Sequence, residues 1–141
     1  IWRKMATGNQ YPQSGERCIY IYSTFDTESG RPVPFYIGQR RRASLLGRSL
    51  SLRHYRWWPH YQNRAIRCDV FMINDRHFGD PLSDEQKQMK LYSIEYLAAR
   101  LIERRQRAQD PLRENRGFQF SFKWLQSKDV RTIAREIADA A

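Results

Sequence analysis

Glu95 sits where an acid is costly. From Asp84 to about Gln106, the residues Leu91, Ile94, Ala98, Leu101 and Ile102 recur at helical spacing and form one apolar stripe. At 100° per residue, Glu95 falls within about 40° of both Leu91 and Ile102, on or beside that stripe. Carboxylates are rarely buried without a partner or a metal. Glu95 is therefore either half of an ion pair with one of the chain's many arginines, or a group that does chemistry. A second concentration is cationic. Between Glu28 and Asp69 there is no acid, while Arg31, Arg40, Arg41, Arg42, Arg48, Arg53, Arg56, Arg64 and Arg67 all fall there. Arg outnumbers Lys twenty to five, and its planar fork of donors matches phosphate oxygens in pairs. Tyr55, Trp57, Trp58 and Tyr61 interleave with the arginines. Basic and aromatic residues together suit a nucleic-acid backbone with unstacked or bent bases nearby. The large rings are expected mainly in the core. The arginines are expected on phosphates, because so long an acid-free run repels itself without a polyanion.

The elements that must position these groups follow from length and pattern. With 141 residues, 25 Lys+Arg and 15 Asp+Glu, the chain carries a net charge of +10. One domain is expected at this length, and 40% apolar content is enough to fill a core. No stretch approaches the roughly 20 apolar residues of a membrane helix. Ile1–Gln10 is short, mixed and polar, so no signal peptide is expected there. Cys18 and Cys68 stand fifty residues apart in no ligand spacing. They argue against a disulfide framework or structural zinc and for a reducing, intracellular setting such as cytoplasm or nucleoid.

Residues 1–16 read as an extension broken by Gly8, Pro12 and Gly15. Arg17–Thr24 alternates like a strand, a polar turn runs from Asp26 to Pro32, and Val33–Gly38 reads as a second strand of the same hairpin. Leu45, Leu46, Leu50 and Leu52 predict a helix over 43–56, ended or interrupted by Pro59. Ala65–Asn74 is the third strand. Ser83 and Gln86 form a capping box for the long helix. Asp110-Pro111 closes that helix, and a polar loop runs to Gly117. Phe118–Lys123 alternates as a further edge strand, and Ser127–Ala141 ends the chain as an amphipathic helix. The fold class expected is α/β (α+β): a small, mainly antiparallel three-stranded sheet flanked by helices. The organisation is an extension (1–16), a core (17–125) and the C-terminal helix (126–141).

Cys18-Ile19-Tyr20 on the first strand and Tyr36-Ile37-Gly38 on the second together resemble the paired signature of the GIY-YIG nuclease superfamily. Cys replaces the first Gly, and the hairpin loop is a few residues longer than usual. The further parts follow in the family's order: Arg48 in a helix, a third strand, Glu95 past the midpoint of the next helix, and Asn115 within Pro111-Leu112-Arg113-Glu114-Asn115. The resemblance covers about residues 17–117. It implies a Mg²⁺-dependent endonuclease, with Mn²⁺ able to substitute, that hydrolyses DNA phosphodiester bonds in repair, homing, restriction or toxin roles. Glu95 would hold the ion, whose remaining sites keep waters. Tyr20 would orient or deprotonate the attacking water, with arginines and the metal favouring its phenolate. Tyr36 would hydrogen-bond the phosphate or share the base role. Arg48 would clamp the scissile phosphate, and Asn115 would position the substrate or the metal's water shell.

Two positions stay open at this level. Tyr22 lies on the same strand face as Tyr20 and could replace it after a two-residue slip. The family's His or second Tyr one turn after its Arg would fall on Leu52, which cannot serve. His54 is the nearest candidate, and its spacing to Trp58 matches a His-then-Trp pattern of some members. On a regular helix, however, His54 would point about 240° from Arg48. Gln39 stands where the family often has Lys, with Arg40, Arg41 and Arg42 available as replacements. With Arg53 and Arg56 these make the expected nucleic-acid contacts. The expected partner is DNA, double-stranded, with no membrane. A homodimer could form through the C-terminal helix, although packing on its own domain is favoured. The rival readings are a non-cleaving nucleic-acid-binding module on the same fold and an RNA-associated basic protein. A binder gains nothing from an acid facing a polyanion, so Glu95 separates the first rival from the nuclease.

Overall fold

Strand alternation from Arg17 onward builds a sheet whose two faces are filled differently. The computed structural model describes residues 2–5, 17–41, 51–73, 81–106, 112, 114–115 and 117–141. Its elements are β1 (Trp2–Met5), β2 (Arg17–Phe25), β3 (Pro32–Arg40), a 3-10 turn (Leu52–His54), α1 (Trp58–Tyr61), β4 (Arg67–Ile73), α2 (Asp84–Arg105), α3 (Phe122–Leu125) and α4 (Lys128–Ala140). The three expected strands are present and antiparallel, and the class is α+β. A fourth strand, β1, pairs Trp2–Met5 with Met72–Asp69 and adds an edge within what reads in sequence as a bare extension. The order is β1-β4-β2-β3, which leaves β3 at the other edge. At the β2–β3 turn, Gly30 adopts a φ of 70°, a left-handed conformation open to glycine, and Asp26 accepts from the backbone N–H and hydroxyl of Ser29.

One sheet face is aliphatic. Ile19, Ile21, Ile37, Phe71 and Ile73 pack against Leu91, Ile94, Ala98 and Ile102 of α2 and against α4. The other is aromatic: Cys18, Tyr20, Tyr22, Phe35, Val70 and Met72 lie under Trp57 and Tyr61. That places Trp57 and Tyr61 in the core, as the size of their rings suggests. Both cysteines are free thiols, Cys18 buried and Cys68 half-buried.

α2 starts at Ser83 with the capping box predicted from Ser83 and Gln86, both hydrogen bonds being formed. Asp84 in its first turn complements the helix dipole and pairs with Arg17 at 3.0 Å, tying the helix to the start of β2. α4 buries Val130, Ile133, Ala134, Ile137 and Ala138 in the same core as α2, so the C-terminal helix packs on its own domain. Lys90 is buried on α2 and reaches Asp129 at 2.5 Å.

Three expectations change. The helix over 43–56 does not run to its predicted end, because Ser51 and Tyr55 are extended on either side of the Leu52–His54 turn; residues 42–50 lie outside the described residues. Pro59 opens a helix instead of ending one, since a missing N–H is harmless in a first turn. Residues 118–121 form no strand and lead into α3; no neighbouring strand offers them partners, and their aromatic alternation goes into ring packing. Among the described residues no helix is long and apolar enough to cross a membrane.

Candidate functional site

Register on the β2–β3 pair sets up the first part of the site. Tyr20 lies opposite Gly38, and its ring crosses directly over that glycine. A Cβ at residue 38 would stand 2.4 Å from both Cζ and Oη of Tyr20, closer than atoms approach, so only glycine leaves the ring its place. The register shifts between Tyr22 and Ser23, which pair with Tyr36 and Pro34, and Phe35 is left as the extra residue of a bulge. The bulge sends both Phe35 and Tyr36 to the aromatic face. Tyr36 thereby lies 6.2 Å, centroid to centroid, from Tyr20. Tyr20 and Tyr55 hydroxyls are hydrogen-bonded at 3.0 Å. Tyr22 is fully buried, packs edge-on against Trp57 at 5.4 Å, and has its phenol pushed far up by burial. It takes no part in the cleft wall, so of the two tyrosines Tyr20 is the one at the cleft.

That cleft, about 660 Å³, runs beside the β3 edge and is where the sequence-predicted groups meet. Tyr20, Tyr36, Arg40, His54, Arg56, Glu95 and Asn115 all line it. They come from β2, β3, the 3-10 turn and the residues after it, α2 and the loop that follows α2. His54 reaches the cleft because regular helix is interrupted there, and its ring stacks on Tyr55 at 4.8 Å. Arg40 is half-buried and Arg56 exposed. Arg53 is exposed and outside the cleft wall, and Arg41 is exposed with its guanidinium 3.6 Å from Asp84. Arg48 and Arg42 lie outside the described residues.

Glu95 is half-buried, its Oε2 shielded from solvent and without a hydrogen-bond partner among the described residues. Burial pushes its pKa from 4.5 up to about 8. No arginine among the described residues pairs with this acid. Tyr36 is also pushed up, first by burial, then by Tyr20 and Glu95 beside it, with Arg40 pulling weakly the other way. Arg40 thus does not overcome burial, and Tyr36 stays a phenol that can donate a hydrogen bond.

Asn115, besides lining the cleft, ties it to the sheet. Its Oδ1 accepts from the Ile37 N–H at 2.9 Å and its Nδ2 donates to the Ile37 carbonyl at 2.6 Å. The side chain mimics a neighbouring strand on the open edge of β3 and fixes the loop after α2 to it. It is a positioning residue for Tyr36 and Gly38 on either side of Ile37.

Sequence reasoning missed several walls of the cleft: Tyr55, His60, Tyr92 and Glu114. Glu114 adjoins Asn115 and lies 3.5 Å from the Tyr61 hydroxyl. Its place beside Asn115 in Pro111–Asn115 was the available signal. The others converge only through tertiary packing.

The donor set can be tested against a divalent ion. Among the described residues there is no cluster of three or more His, Cys, Asp or Glu side chains suited to a metal. One desolvated carboxylate oxygen without a partner, in a water-accessible cleft, suits a weakly held hydrated ion of the Mg²⁺ kind. No protein-family model matches the chain, and no curated protein or solved structure matches it either. The functional reading rests on the cleft itself.

Proposed function

We propose that this cleft binds the phosphodiester backbone of DNA and hydrolyses it, as the resemblance of Cys18-Ile19-Tyr20 and Tyr36-Ile37-Gly38 to the GIY-YIG nuclease signature suggests. The observation that carries the reading is Glu95: a desolvated carboxylate oxygen without a partner among the described residues, in a cleft that also holds Arg40, Arg56, His54, tyrosine hydroxyls and a second acid, Glu114. A group that only binds polyanions is weakened by such an acid, whereas a metal-assisted hydrolase requires one. Glu95 would hold Mg²⁺, which when bound supplies Lewis-acid neutralisation of phosphate charge. Arg40 and Arg56 draw the backbone in and offset its charge. Tyr20, oriented by Tyr55 and by the close approach to Gly38, orients the attacking water, and Tyr36 donates a hydrogen bond to a phosphate oxygen. The water gives up a proton as its oxygen bonds to phosphorus, the ester P–O bond breaks, and the leaving oxygen takes up one proton, so that the water supplies both the hydroxyl on phosphorus and the proton of the released alcohol. His54 and His60, both exposed and both lining the cleft, are imidazoles suited to carry that proton.

The test is incubation of supercoiled plasmid with the protein, with and without Mg²⁺, beside a folded Glu95→Gln variant. Mg²⁺-dependent nicking by the parent and none by the variant is the expected result. Binding without cleavage under any divalent ion would favour the non-cleaving module on this fold. Equal cleavage by both would remove Glu95 from the chemistry.

A further inference from the structure

An aromatic ladder leads away from the cleft along the outer side of α2. Tyr92 and Gly117 belong to the cleft wall. Tyr96 lies one helical turn after Tyr92, and Phe118 follows Gly117. Tyr96 packs edge-on against Phe118 at 6.1 Å and stacks on Phe120 at 4.4 Å, and Phe120 meets Phe122 edge-on at 5.5 Å. The ladder becomes more exposed as it leaves the cleft: Phe120 is 37% and Phe122 74% exposed. Cations border it. The Arg100 guanidinium lies 5.3 Å from the Tyr96 ring, and exposed Lys123 follows Phe122 in the chain. Arg104 lines the adjoining groove, and Glu103, the one acid there among the described residues, is held by Arg100 at 3.2 Å.

Exposed rings flanked by positive charge suit a strand whose bases are free to stack while its phosphates meet the cations. A duplex hides its base faces and could use only the charges. We propose that the Tyr96–Phe120–Phe122 ladder stacks unpaired bases next to the cleft, so that the preferred substrate is a nucleic acid with a single-stranded segment adjoining the phosphate to be cut. This rests on the nucleolytic reading of the cleft and names the substrate class within it. The ladder's continuity with the cleft wall through Tyr92 and Gly117, together with its cationic border, favours this occupant over a second copy of the chain.

The test uses the full chain in EDTA, with fluorescence anisotropy of labelled oligothymidylate and oligouridylate of about 12 nucleotides, on the order of one such site, and a blunt duplex of the same length. Phe122→Ala and Phe120→Ala should each weaken single-strand binding about five- to 150-fold, the range for losing one base–aromatic stack, with duplex affinity changed less than about twofold. A preference for oligouridylate would support the ladder equally and identify the strand as RNA. Unchanged single-strand affinity, or equal losses on strand and duplex, would overturn the proposal. So would a dimer in sedimentation that Phe122→Ala dissociates, since that assigns the rings to a second copy. Plasmid nicking by the parent is measured in the same preparation. Nicking with unaltered single-strand binding in the variants removes the ladder alone, whereas a parent that neither nicks nor binds removes the reading of the cleft as well.

Discussion

Replacing Glu95 by Gln should make the protein more stable at alkaline pH while abolishing its proposed activity. The carboxyl titrates near 8 when folded against 4.5 in the unbonded reference, because burial disfavours the charged form. Below about pH 4.5 the acid is protonated in both states and has no pH-linked effect. Between 4.5 and 8 the unfolded chain has released the proton and the folded chain still holds it, so stability falls as pH rises, and above 8 the loss is complete. At about 1.4 kcal/mol per pH unit the ceiling on that loss is about 5 kcal/mol. Water entering the cleft lowers this, and a difference of about 2 kcal/mol or more is expected. Gln keeps the shape and cannot ionise. Urea unfolding of parent and Glu95→Gln at pH 4, 7 and 9 isolates this group, because the other titrations cancel in the difference. The variant's advantage should be near zero at the lowest pH and greatest at the highest. Mg²⁺ at pH 9 should then stabilise the parent alone, by about 2.7 kcal/mol at a hundredfold excess over the dissociation constant. An advantage that stays flat with pH would refute the desolvation argument. Equal stabilisation of both proteins by Mg²⁺ would refute Glu95 as the ligand.

Three further outcomes follow from the geometry. Gly38→Ala would put a Cβ 2.4 Å from the Tyr20 ring; we expect a cost of about 1–3 kcal/mol in thermal or urea unfolding, with plasmid nicking lost because the Tyr20 hydroxyl is displaced. Asn115→Ala breaks both hydrogen bonds to the Ile37 peptide and should cost about 1–3 kcal/mol; hydrogen exchange at the Ile37 amide should accelerate. In the Lys90–Asp129 pair, Lys90 is 2% and Asp129 41% exposed. Asp129→Ala takes the carboxylate from a buried ammonium and should cost about 3–5 kcal/mol, whereas Lys90→Met, which frees a carboxylate to rehydrate, should cost clearly less in the same unfolding assay.

Local chemistry was readable in the sequence, and convergence was not. The Ser83–Gln86 box is a hydrogen-bond pattern within four residues, so α2 begins where its sequence says. β2 and β3 are neighbours in the chain, and their alternation defines both strands. β1 escaped because its partner is β4, far along the chain, and four residues carry too short a pattern to compete with nearby Gly and Pro. The alternating phenylalanines near 120 misled because period-two spacing also arises when extended chain packs rings on a helix, here against Tyr96. Lys90 falls on the buried side of α2, where no pattern rule puts a lysine, because Asp129 of α4 waits there. Within the cleft, the residues of the tripeptides, Glu95 and Asn115 were identifiable by order and type. Tyr55, His60 and Tyr92 were not, since nothing local distinguishes a cleft wall from a surface, and Glu114 had only its place beside Asn115 to mark it.

The bidentate grip of Asn115 on Ile37 also has a consequence in time. All four strands precede residue 74, so a chain still being synthesised could assemble its sheet well before Asn115 exists. During that interval the outer peptide of β3 at Ile37 is an open template, available to any extended segment of another nascent chain. The same edge carries Tyr36 and Gly38, so a foreign strand pairing there would occupy the ground on which the cleft is later built. Arrival of a single asparagine side chain, late in the sequence, closes that window and completes the cleft in one step. Conditions that slow synthesis between residues 74 and 115 should therefore raise co-aggregation of this chain without altering the stability of the molecules that finish folding.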